Sequence, residues 1–209
     1  AIPAAILNAL GGHKDLGLHS GLITDEIIDL VENGVITNAR KAVHTGISVG
    51  AIAIAGPRLK DFLHLNADFQ MHPSSTTHGP ATLSQIDNLV AMNSALEVDI
   101  YGQVNAEQVG DRYLGAIGGQ VDFMHAATTA AKGISMIAMP ASLGKSGGSR
   151  ITAKLGGPFV TTARTDVDMV ITEYGIADLR GKTLEERARS IIDIALPEHA
   201  LFLTKVAAK

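Results

Sequence analysis

The sequence predicts an α/β fold, an open and largely parallel sheet flanked by helices. Three observations predict it. Short apolar runs with β-branched residues recur at 47–55, 134–139 and 167–172, which suits buried strands. Helix signatures fall between those runs, and strands that alternate with helices favour parallel pairing. With 209 residues, 46% apolar content and 22 glycines, the chain can bury one substantial core.

The elements follow in order. Ile2, Ile6, Leu7 and Leu10 keep helical spacing, with Pro3 in the first turn and Gly11-Gly12 as the stop. Residues 16–23 read as a strand or loop leading to a second helix. Thr24 is placed to cap it, Asp25 and Glu26 suit its positive end, Ile27, Ile28 and Val31 give its apolar face, and Gly34 closes it. A strand is expected at 47–55, then a helix opened by Pro57 with Leu59, Phe62 and Leu63 on its face. Residues 70–80, with two prolines, a Ser/Thr cluster and two histidines, read as a loop. The region 89–104 is the most strand-like, Val98, Ile100 and Val104 alternating with Asp99, Tyr101 and Asn105. Helix is expected over 122–132, strands at 134–139 and 167–172, and a last helix through Ala195 opened by the capping box Thr183/Glu186. No repeat or linker divides the chain, so one domain is expected.

Composition excludes several functions. The 17 basic and 21 acidic residues are scattered, so no basic stripe for nucleic acid is present. The absence of cysteine removes disulfides, thiolate metal sites and a cysteine nucleophile. The longest apolar run, 47–55, is far below the roughly 20 residues of a membrane span, and a soluble, cytoplasmic protein is expected. The start at Ala1-Ile2-Pro3, without Met or a charged n-region, leads us to expect further chain upstream.

Gly144-Lys145-Ser146 resembles the end of a phosphate loop, but Met139 stands where that motif needs glycine. Gly115 to Gln120 precedes a helix, and its N–H groups suit an anion or oxyanion, or merely a tight turn. Among eight histidines no pair has His-x-x-x-His spacing, so no metal site is expected. His19 beside Ser20, and His78 before Gly79-Pro80, have the surroundings of site loops. Ser94 and Ser149 lack a nucleophile elbow. Glu97 and Asp99 share a strand face, as an acid/base pair or as structural acceptors.

In order along nearly the whole chain stand Asp15-Leu16-Gly17-Leu18-His19-Ser20, Asp25, Asn93-Ser94-Ala95-Leu96-Glu97-Val98-Asp99, Gly102-Gln103-Val104-Asn105, Gly118-Gly119-Gln120-Val121-Asp122-Phe123, Ser149-Arg150-Ile151 and the run from Thr172 to Gly181. This set resembles the C-terminal domain of the acetyl-CoA hydrolase/transferase family. The resemblance implies a CoA-transferase-type α/β fold and a homologous N-terminal domain outside this chain, with acyl-CoA bound between the two. Coenzyme A would be a substrate rather than a resident cofactor, a carboxylate the second substrate, and a homo-oligomer the expected assembly. In such transferases a glutamate attacks the thioester, forms an acyl-glutamyl anhydride and then carries CoA as a glutamyl thioester.

The resemblance carries thioester and CoA contacts onto Gly118, Gly119 and Gln120, with His78, Asn93 and Arg150 as further expected substrate- or CoA-binding residues. Arg150 and Arg164 are expected to meet phosphate or carboxylate, or to form internal salt bridges; Glu173 and Arg180 are expected to serve structure. Two positions depart from the family pattern. Gly21 stands where the glutamate should follow Gly-x-His-Ser, and His78 replaces an asparagine near the acyl group. Acyl-CoA transfer or thioester hydrolysis is the expected activity. Asp25 or Glu26 would replace the glutamate, or His19 or His78 would activate water. The alternatives are a CoA-binding paralogue without transferase activity and a purely structural domain.

Overall fold

The structure, a computed structural model, describes residues 2–144 and 148–208. Lys145 and Ser146 therefore lie outside the described residues. The chain forms two compact units, Ala1–Asp87 and Asn88–Lys209.

The first unit runs α1 (Ile2–Ala9), β1 (His19–Ile23), α2 (Ile27–Glu32), β2 (Ser48–Ala53), α3 (Pro57–Leu63), β3 (Phe69–Met71), α4 (Ser74–Thr77) and α5 (Pro80–Leu83). Its sheet has the order β1-β2-β3 and is parallel throughout, His19 pairing with Val49 and Ser48 with Phe69. The core gathers Ile23, Ile27, Ile28, Leu59 and Phe69. Pro57 and Pro80 each sit in a helical first turn, where a missing N–H costs nothing. Gly34 ends α2 at φ +70°, as expected of a left-handed C-terminal glycine.

Two expectations need correction here. Thr24 is not the cap of α2: the helix starts at Ile27 with Glu26 at its N-cap, after a turn in which Ile27 N–H and Ile28 N–H donate to the Thr24 and Asp25 carbonyls. The segment 70–80 is not all loop. Pro73 and Pro80 fix the backbone for two one-turn helices, α4 and α5.

The second unit runs β4 (Val90–Asn93), β5 (Glu97–Asp99), β6 (Val104–Asn105), β7 (Gln108–Val109), β8 (Arg112–Tyr113), α6 (Gln120–Thr129), β9 (Ile134–Ala138), β10 (Ile151–Thr152), β11 (Met169–Thr172), β12 (Gly175–Asp178), α7 (Leu184–Ile192) and α8 (Pro197–Ala207). The four-stranded sheet β12-β11-β9-β4 is parallel except for β12, and a smaller sheet has the order β10-β5-β6. The fold class is the predicted one, open sheets flanked by helices.

The strand-like stretch 89–104 is broken into pieces that join different sheets. Asp99 causes one break: its buried carboxylate accepts Tyr101 N–H and Gln103 N–H, both at 2.9 Å, and turns the chain through Gly102 at φ +94°. The capping box forms as predicted, Glu186 N–H donating to Thr183 Oγ1 and Thr183 N–H to Glu186 Oε2. Helix α7 ends at Ile192, and α8 is a further helix.

Candidate functional site

In the first unit a group of basic side chains surrounds the start of β1. His19, half-buried, brings Nε2 to 2.9 Å from the Thr77 carbonyl oxygen. A carbonyl can only accept, so Nε2 carries the proton and Nδ1 is the basic nitrogen. Burial is the main cause that lowers the pKa of His19, helped by Lys41, His44 and His78. Thr77 is fully buried on α4, which packs against β1 and β2, and its Oγ1 lies 2.7 Å from His78 Nδ1. Glycine is needed next in the chain, because a Cβ at Gly79 would stand 2.4 Å from the Ser75 carbonyl oxygen.

The loop between α2 and β2 supplies two basic groups that sequence reasoning missed. Lys41 Nζ donates to the Leu18 carbonyl at 2.9 Å and the Ile47 carbonyl at 2.6 Å, tying the entries of β1 and β2 together. Burial draws its pKa down to about 8. The His44 ring lies 6.5 Å from His19 and 5.0 Å from His72, centre to centre, and burial, with His72 and Lys41 nearby, lowers its pKa. His72 follows β3 and meets Gln70 Oε1 at 2.9 Å. Only the parallel pairing of β2 with β3 brings His72 to this place.

Gly21 occupies the middle of β1, two residues from His19 and so on the same strand face. Asp25 and Glu26 lie past the other end of that strand, which runs about 13 Å from His19 to Ile23. Asp25 Oδ1 accepts Gly56 N–H at 3.3 Å, at the entry to α3. A hydrogen bond from Thr24 holds the Glu26 carboxyl below its usual range, and Glu26 faces a cleft of about 300 Å³ that Asn8 and Asn33 also line. The structure therefore brings His19 and His78 together but leaves Asp25 and Glu26 out of the group.

In the second unit Gly118 is exposed at φ +61°, Gly119 is the N-cap of α6, and no side chain caps that helix. Asp122 lies in the first turn of the helix, which starts two residues before the expected 122. The helix packs on β4 and β9 and returns directly into β9, so its N-terminus lies toward the carboxyl ends of those strands. Asn93 ends β4 at the same edge, where open α/β sheets bind ligands. Uncapped N–H groups and the positive helix end suit an anion there. Gln120 is buried and donates Nε2–H to Thr162 Oγ1 at 3.0 Å, so its side chain braces the loop from within.

Other expected contacts are structural. Arg150 donates from Nε to the Ser142 carbonyl and from Nη1 to the Ala95 and Leu96 carbonyls, so these donors fix backbone rather than face phosphate. Glu97 accepts Gly156 N–H at 2.7 Å and an Asn105 amide proton, which with the Asp99 turn favours the structural reading of that pair. Glu173 accepts Ala141 N–H, Arg180 pairs bidentately with Asp178, and Ser149 donates to the Ile151 carbonyl. Arg164 is exposed on a short 3-10 turn. Glu107, also missed, is buried and accepts hydrogen bonds from Thr161 Oγ1 and Tyr113 OH, while its carbonyl holds Leu114 N–H on the way to Gly118. Among the described residues no group of three or more His, Asp or Glu is arranged to hold a metal, and no helix is long and apolar enough to cross a membrane.

The model of the acetyl-CoA hydrolase/transferase C-terminal domain matches residues 56–207. The chain is 42% identical over 95% of its length to the 4-hydroxybutyrate coenzyme A transferase of Clostridium kluyveri, of which the match covers 46%. It is 39% identical over 99% of its length to the succinyl-CoA:cyclohexane-1-carboxylate CoA transferase of Geobacter metallireducens, covering 47% of that protein. The crystal structure of RipA from Yersinia pestis superposes on 100% of the chain and 47% of its own length, with a TM-score of 0.93 and 34% identity. The chain thus spans about half the length of these relatives.

Proposed function

The chain belongs to the acetyl-CoA hydrolase/transferase family, with the CoA-transferase-type fold, and from that premise we propose that its protein acts on short-chain acyl-CoA thioesters. It moves CoA to a carboxylate, or releases it to water. The match to CoA transferases along nearly the whole chain carries this reading. We place the protein in the cytoplasm, in acetate and acyl-CoA metabolism, with CoA as substrate, the N-terminal half of the same protein as neighbour and a homo-oligomeric assembly.

The proposed roles are these. In the second unit the N-terminus of α6 at Gly118 and Gly119 offers N–H donors to an anionic group such as a phosphate. In hydrolysis His19 or His78 takes a proton from water as the water oxygen bonds to the thioester carbon. The C–S bond then breaks, and the proton passes to the CoA sulfur. Because the pKa of His19 is lowered, its basic form fills as pH rises through a value below 6.5. Hydrolysis is therefore expected to rise with pH below 6.5 and to level off at neutrality.

The test is to give the full-length protein acetyl-CoA and excess propionate and to follow propionyl-CoA and CoA by mass spectrometry. Propionyl-CoA establishes transfer, and CoA alone establishes hydrolysis. Gly21 favours a second reading, a CoA-binding paralogue without turnover; bound CoA with neither product would put it in place of the first.

A further inference from the structure

The basic group around His19 is larger than a single general base requires, and among the described residues no carboxylate forms a hydrogen bond or ion pair with Lys41, His44 or His72. All four residues of the group are half-buried, and His19 and Lys41 are enclosed enough for burial to lower their pKa values. The loop that presents Lys41 and His44 is tightly specified. Asn38, His44 and Gly46 all adopt left-handed backbone, at φ +56°, +51° and +79°. Buried Asn38 locks the loop to both strands, accepting Leu18 N–H at 2.8 Å and donating to Ser48 Oγ at 2.9 Å. A histidine in this conformation is uncommon, and such strain persists where surrounding structure holds it for a purpose.

We propose that Lys41, His44 and His72, beside His19 and the side-chain-free Gly21, bind a free small carboxylate that serves as the nucleophile. This rests on the thioester function proposed above and names the second substrate's site. The step balances without a protein nucleophile. A carboxylate oxygen bonds to the thioester carbon, the C–S bond breaks, and CoA leaves as thiolate from a mixed anhydride. The thiolate then attacks the other carbonyl of the anhydride, which forms the new thioester and releases the first acid as carboxylate. The titratable groups facing this site are His19 of β1, Lys41 and His44 of the loop, His72 after β3 and His78 after α4. Protonation of His19 and His44 adds positive charge, so carboxylate affinity falls as pH rises through the range below 6.5.

The test uses full-length protein with isotope-labelled histidine rings and no CoA, titrated with sodium acetate at pH 6 and constant ionic strength. Saturable shifts are expected in the ring signals of His44 and His72. His44→Asn, which keeps the left-handed backbone, is expected to weaken binding about tenfold, the loss of one charge-assisted hydrogen bond. Lys41→Met is expected to weaken it further. Since Lys41 also ties two strands, His72→Gln is the companion variant with less structural risk. Gly21→Glu, which tethers a carboxylate in the same space, is expected to abolish acetate binding. Absence of a saturable shift, a shift by inorganic phosphate but not acetate, or full affinity in both His44→Asn and Gly21→Glu would overturn the proposal. Failure of thioester turnover, read separately with CoA, would overturn the function instead.

Discussion

Asp25 and Glu26 carried the sequence's best candidates for a replacement nucleophile because they are the first carboxylates after Gly21. Residue counting could not show that β1 runs extended to Ile23 and so carries them away from His19. Asp25 instead ties the turn after β1 to the entry of α3. Asp25→Ala is therefore expected to cost about 1 kcal/mol of stability, the worth of one such hydrogen bond, in urea unfolding followed by circular dichroism. His19 and His78 were legible from the loops that flank them. Lys41 and His44 were not, because neither lies in a spaced motif and their partners come from β1, β2 and the end of β3.

At the scale of elements, local signals predicted well wherever the local interaction decides the structure. The Thr183/Glu186 box needs only four consecutive residues, and it forms. Thr183→Ala is expected to destabilise α7 by about 1 kcal/mol, seen as a lowered melting temperature without loss of fold. The strands at 134–139 and 167–172 appear as β9 and β11 with trimmed ends. The stretch 89–104 misled because alternation does not report where a buried carboxylate turns the chain, as Asp99 does. Helix α8 was hidden for another reason: Leu203 is buried while its neighbours Leu201 and Phe202 are exposed, so the apolar residues form a run rather than a stripe.

At the scale of the whole molecule, each unit has its own strand pairing and its own chemistry. The first gathers histidines and a lysine of lowered pKa at the start of β1; the second offers an uncapped helix N-terminus at the carboxyl edge of β4 and β9. The family resemblance was legible in ordered motifs spread over both units, and the departure at Gly21 was legible with it. What the sequence could not show was the basic group at the start of β1, where we propose that a carboxylate binds. Intact-mass spectrometry of the full-length protein, quenched during turnover of acetyl-CoA with propionate, is the measurement to make. A reaction without a protein nucleophile predicts product in solution and unmodified protein throughout. A chain that carries acyl or CoA mass on a carboxylate such as Asp25 or Glu26 would contradict it.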